Sequence, residues 1–300
     1  MEHLGALAAF GTAVFWTASA IAFEGASKRV GALAVNFWKV TIAFVLLGIV
    51  SLSTGGGLLP LGAPSRSWLF LCLSGLIGFV ISDYFLLTAY VLVGSRVTVV
   101  FQALTPLFAA GFGFIVLGES MKLRSLAGMA VVVAGIVILV LARNAAGTAA
   151  RRSEAVQAKG YVFAFLSTVF QALGLVTSKL GLSNIDAVPA TQIRVLAAML
   201  GFALQALILR KRSEVFVAPL REGRLAMRIA IGAVFGPFLG VTLSLFALQH
   251  TDVGTASTLM ALTPVLIIPP TIFLMRQKAT ALEILGAAIA VGGTSLFFMV

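Results

Sequence analysis

Acidic side chains are scarce in this chain, with ten Asp and Glu in 300 residues against twenty-one Lys and Arg. Only ten per cent of residues are charged, where a soluble domain carries roughly a quarter. Carboxylates this sparse leave no paired acids for general acid–base work. The sequence also has no HExxH, no GxSxG and no GxxxxGK[ST]. We therefore expect no enzyme, no cofactor and no self-contained ATP-driven pump. The single cysteine, Cys72, excludes an intramolecular disulfide and a cysteine metal cluster. Two histidines far apart, His3 and His250, cannot supply a structural zinc site. Basic residues are not gathered into a domain or an aromatic-basic surface, so the net charge of +11 does not indicate nucleic acid. It fits short loops that face anionic lipid.

What the chain has instead is apolar length. Sixty per cent of its residues are hydrophobic, in runs of about 20, enough to cross the hydrocarbon core as a helix. The reading is a polytopic all-α membrane protein with ten spans: 4–23, 33–52, 68–88, 95–117, 124–142, 160–179, 187–209, 227–249, 253–275 and 281–299. Gly and Pro punctuate the gaps. The first run resembles a signal-peptide core followed by Ala18-Ser19-Ala20, but no basic residue precedes it, so we expect a retained helix.

Ala-Leu-Thr-Pro occurs twice, at Ala103–Pro106 and Ala261–Pro264, 158 residues apart. At that offset Ser74, Gly78 and Ser82 fall on Gly232, Gly236 and Gly240, and Gly135 falls on Gly293. At an offset of 155, Gly5 falls on Gly160, Trp16 on Gln171 and Lys39 on Arg194. The chain therefore reads as two five-helix repeats, 1–142 and 160–300, joined by a basic linker, 143–159.

Loop charge supplies orientation. The loops after the odd-numbered helices hold Lys28, Arg29, Arg96, Arg143, Arg151, Arg152, Lys159, Arg210, Lys211, Arg212, Arg221, Arg224, Arg228, Arg276 and Lys278. The other side holds Arg66, Lys122, Arg124 and Lys179. Fifteen against four places the odd loops in the cytoplasm and both termini outside. Five helices per repeat then make the repeats inverted, the geometry of alternating access around a central site.

Candidate site residues follow from what is costly in a bilayer. Asp83, beside Tyr84 and one heptad before Tyr90, is a carboxylate inside an apolar run. It suits proton coupling or an amine counter-ion, or else a structural pair with Lys39 or Arg96. Lys39 and Arg194 are repeat partners, which favours a shared structural role without excluding a functional one. Trp16 and Gln171 are partners too; Thr12, Trp16 and Ser19 share a helix face, as do Ser167, Gln171, Gly174 and Ser178, and these faces can line a cavity or pack. Gln102, Thr242 and Ser244 add polar candidates. Pro106 and Pro264 are expected to kink their helices and free carbonyls near Gln102 and Met260, for which Thr105 and Thr263 are caps or gating elements. The rows of Gly and Ser every four residues read as close helix packing. Lys179 reads as an interfacial anchor, and Glu119 and Glu283 sit near helix ends where carboxylates are ordinarily solvated.

Leu104-Thr105-Pro106 followed by Leu117-Gly118-Glu119 and Gly128, and Leu262-Thr263-Pro264 followed by Gly286, resemble the EamA-type transporters of the drug/metabolite transporter superfamily over nearly the whole chain. That resemblance implies ten helices in two inverted halves, moving small metabolites around a central cavity and often exporting amino acids or drugs. One departure is Gln277, which stands where the first half has Glu119. The expected function is a secondary exporter of small organic metabolites in the cell (inner) membrane. Its partners are a small-molecule substrate, lipid and, as coupling ion, protons. The alternatives are an uncoupled facilitator and a non-transporting sensor or assembly protein. The cavity is expected between helices 1, 3, 4, 6, 8 and 9.

Overall fold

The computed structural model describes residues 2–55, 57–102, 104–145, 154–182, 185–266, 269–270 and 280–298. Every regular element among them is helical, which satisfies backbone groups within each segment where no water can do so. We number the elements α1 (Glu2–Val30), α2 (Ala32–Ser53), α3 (Ser65–Gly75), α4 (Ser82–Gln102), α5 (Thr105–Phe112), α6 (Leu123–Ala145), α7 (Glu154–Gly181), α8 (Ala187–Ile208), α9 (Gly223–Ala233), α10 (Val241–His250), α11 (Val253–Met260), α12 (Thr263–Leu266) and α13 (Ala281–Phe298). Widened π-helical turns join α3 to α4 at Leu76–Ile81 and α9 to α10 at Val234–Gly240. Six helices among the described residues are long and apolar enough to cross a membrane, and Thr105–Leu117, Leu123–Ile138 and Ile284–Gly293 are shorter apolar helices.

One departure from the expected spans lies in the first repeat. Helical backbone runs unbroken from Ser65 to Gln102, through the expected gap between 88 and 95. Yet the run is not straight. Ser82 Oγ donates to the carbonyl of Ser167 at 3.0 Å, and Gln102 Nε2 donates to Ser167 Oγ at 2.6 Å. Twenty residues of straight helix would separate Ser82 from Gln102 by about 30 Å. Val93 lies over Gly160 and Phe101 stacks 6.2 Å from Tyr161, so the chain reverses between Val93 and Phe101. One arm passes down α7 and the other returns along it.

Close contacts follow the small-residue rows. Gly181 meets Leu71, Gly174 meets Gly78, and Ser74 Oγ lies 2.9 Å from Ser178 Oγ, so the α3–α4 arm and α7 are antiparallel. The same arrangement recurs with the repeats exchanged: α1 runs antiparallel to α9–α10, with Gly5 against His250, Gly240 against Trp16 and Gly232 against Phe23. A Cβ on Gly236 would stand 2.5 Å from Ser19 Oγ, so a larger residue there would have to displace that hydroxyl. Ser19 Oγ donates to the Gly232 carbonyl at 3.1 Å. α6 and α13 form a third antiparallel seam, in which a Cβ on Gly135 would stand 2.5 Å from the Ala290 nitrogen.

Both Thr-Pro pairs begin new helices rather than bending continuous ones. α5 starts at Thr105 and α12 at Thr263, so each Pro falls in a first turn, where its missing N–H costs nothing. Thr263 Oγ1 donates to the Met260 carbonyl at 3.1 Å, the capping expected of it. Thr105 Oγ1 instead meets the Gln102 side-chain oxygen at 3.3 Å. The Pro264 side chain, Gln277 and residues 146–153 of the linker 143–159 lie outside the described residues.

Candidate functional site

A cavity of about 1050 Å³ opens among α1, α2, α7, α8, α10 and the turn before α10. Its wall is apolar, formed by Phe15, Phe238, Leu239, Leu243 and Phe246 together with Val50 and Val188. Polar groups stand at one end: Lys179, Asp186, Gln249 and His250. Thr242 is the polar residue partway down, its hydroxyl donating to the Phe238 carbonyl one turn earlier. Volume and lining suit a small molecule with an apolar body and a few polar groups.

At the place related to this cavity by the repeat, aromatic side chains pack on one another. The counterparts of Phe15, Thr242 and Leu243 are Phe170, Tyr84 and Phe85. Phe85 stacks on Phe170 at 5.7 Å and meets Phe163 edge-on at 5.2 Å, while Tyr84 lies 6.5 Å from Phe163. Where one repeat has Thr242 and Leu243 on the cavity wall, the other has a cluster of aromatic rings.

The candidate residues do not converge on the cavity. Thr242 lines it, whereas Trp16 packs its ring over Gly240, and Gln171 accepts a hydrogen bond from Ser82 Oγ at 3.2 Å. The polar faces of α1 and α7 are seams, because α9–α10 and the α3–α4 arm cover them: Thr12 Oγ1 reaches the Gly240 carbonyl at 3.4 Å. Gln102 is held by Ser167, and Tyr84 is 43% exposed beside its aromatic neighbours. The Tyr90 side chain lies outside the described residues. α2 and α8 contribute to the wall, in addition to helices that the sequence pattern points to. The Phe residues that form it carried no signal in a chain this apolar.

The buried charges are arranged unequally. Lys39 Nζ donates to Asp83 Oδ2 at 2.6 Å, with the two side chains 12% and 13% exposed. Arg194, the repeat partner of Lys39, is 5% exposed, and its guanidinium lies 5.2 Å over the Phe79 ring. Glu119 is not a solvated end residue. Gly118 takes a left-handed turn (φ 67°) that few side chains tolerate, and this turns Glu119 inward. Its carboxylate accepts from the Val253 N–H at 2.9 Å and pairs with Lys179 Nζ at 2.5 Å. Lys179 also donates to the Thr251 carbonyl at 2.5 Å, so it ties helix ends together rather than anchoring at the interface. No three His, Cys, Asp or Glu residues cluster as a metal site among the described residues.

Comparison with known proteins agrees with this architecture. A solved crystal structure of a protein superposes with a TM-score of 0.77 over 97% of this chain and 95% of the other, at 21% identity, which shows a common fold. No curated protein sequence matches the chain. The EamA-like transporter family matches it twice, over residues 3–141 and 158–299. Those two matches cover nearly all of this multi-pass membrane protein, and the chain belongs to the EamA-like transporter family.

Proposed function

We propose that the protein is a secondary carrier that exports a small organic metabolite by alternating access. The observation that carries this is the inequality of two related spaces. One is a cavity of about 1050 Å³, and its counterpart is packed with Phe85, Phe163 and Phe170. A pair of inverted five-helix repeats, 1–142 and 160–300 across the linker 143–159, would exchange these arrangements and so move the opening from one face to the other. Loop charge favours both termini outside the cell (inner) membrane, with the polar end of the cavity, at Lys179 and His250, on the same side. The molecule then stands open outward. Thr242 contacts the substrate; Asp83, freed from Lys39, carries the coupling proton; Thr105-Pro106 and Thr263-Pro264 are the flexing points. Trp16, Tyr84, Tyr90, Gln102 and Gln171 join the substrate site in the exchanged arrangement.

The test is uptake of a panel of amino acids and apolar amines and acids into vesicles holding the purified protein, with and without a proton gradient. Gradient-driven accumulation of one class supports a coupled carrier, and Asp83→Asn should then flatten the pH dependence. Counterflow without a gradient effect would make it a facilitator. No flux of any compound in either arm would remove the carrier reading.

A further inference from the structure

The middle of the molecule holds two symmetry-related cations and one carboxylate. Lys39 is neutralised by Asp83 on a helix of its own repeat. At the offset that aligns these helices, the counterpart of Asp83 is Val241, which is buried. Arg194 is therefore Lys39's mate without the matching acid. Among the described residues no carboxylate lies within ion-pair distance of it. Asp83, whose field does reach it, is already held by Lys39. The Arg194 Nε is buried with no hydrogen-bond partner. The Phe79 ring offsets only part of the cost of burying that charge. The guanidinium packs closely against Gly78, where a Cβ would stand 3.2 Å from Nη2, so only glycine admits the side chain here without a shift.

We propose that Arg194 is the anchor for a carboxylate group of the substrate, so that the transported class is small organic acids with an apolar body, amino acids included. This rests on the carrier reading and names its substrate class. Val241 directly precedes Thr242, which lines the cavity, and Ala187 and Val188 line it from the helix that bears Arg194. Arg194 lies seven residues beyond Ala187, about 10 Å deeper along α8. A carboxylate that passes Thr242 and reaches the guanidinium would supply the acid that Lys39 finds in Asp83, while the apolar body stays against Phe15, Phe238 and Phe246. A neutral or purely cationic substrate leaves the guanidinium uncompensated.

Binding to the full-length protein in lipid nanodiscs tests this, using three acids, 3-phenylpropionate, 4-methylpentanoate and L-phenylalanine, each against its own amide. At least one acid should bind about tenfold or more tightly than its amide, the margin of a charge-assisted hydrogen bond. Arg194→Gln should erase that preference, and Arg194→Lys should keep part of it. Val241→Asp supplies the acid that the repeat lacks. It should leave a folded protein with an unchanged or higher melting temperature and no acid preference. The proposal is overturned if no acid outbinds its amide, or if the preference survives both Arg194→Gln and Val241→Asp. Transport of amides alone would sink it and leave the carrier standing. Tight acid binding without flux of any compound would do the reverse.

Discussion

Lys39 and Asp83 meet at 2.6 Å between α2 and α4, joining two helices of one repeat through a pair that is almost fully withdrawn from solvent. Removing one partner strands the other in a medium that does not solvate it. Lys39→Met alone, or Asp83→Asn alone, should therefore destabilise the protein by about 3 kcal/mol. The double variant Lys39→Met/Asp83→Asn should recover most of that loss. Unfolding midpoints in a denaturing detergent titration decide it: additive losses would mean the two groups are independent.

Thr242 should be sensitive to size rather than polarity. Thr242→Phe places a ring in the cavity and should slow transport by about tenfold or more without lowering the melting temperature. Thr242→Val loses only a hydroxyl that is satisfied by the Phe238 carbonyl within its own helix, and transport should stay within about threefold. Equal impairment by both would place the cavity elsewhere.

Gly135 and Gly111 form a matched comparison. A Cβ at Gly135 would stand 2.5 Å from the Ala290 backbone, whereas one at Gly111 meets nothing within 4 Å. Gly135→Val should cost about 1–3 kcal/mol by forcing α6 and α13 apart. Gly111→Ala should be neutral or slightly stabilising, because it removes backbone freedom from a helix. Thermal unfolding of both variants in one detergent makes the comparison.

Glu119 serves two neighbours, and two substitutions separate them. Glu119→Gln keeps an acceptor for the Val253 N–H and loses the charge that pairs with Lys179. Glu119→Ala loses both. Alanine should cost more, by about 1–2 kcal/mol, the cost of a buried N–H without a partner. Hydrogen exchange at Val253 is the local readout: faster exchange in Glu119→Ala than in Glu119→Gln is expected, and equal rates would show that the hydrogen bond contributes nothing.

Much of the fold was legible because helix packing leaves local traces. Ser74, Gly78 and Ser82 recur every four residues, and their seam with α7 is where that row places it. The corner between Val93 and Phe101 was visible as a gap between apolar runs, although the backbone hydrogen bonding hides it. The cavity was less legible. A helix face bearing Thr12, Trp16 and Ser19 states that something polar lies opposite; whether that is a cavity or the Gly240 carbonyl depends on a helix more than 200 residues away. Phe15, Phe238 and Phe246 became a wall only through the absence of neighbours across from them. Glu119 looked solvated because nothing local shows that Val253 needs an acceptor.

The α6–α13 seam has one more property. Gly135 meets Ala290, and Gly293 meets Val132; the offset of 158 turns each pair into the other. Exchanging the conformations of the repeats maps this interface onto itself. It can act as a pin that keeps the same contacts in both states while the helices around the cavity trade places. A covalent link between α6 and α13 should thus leave turnover intact, where a link between α1 and α10 would arrest it.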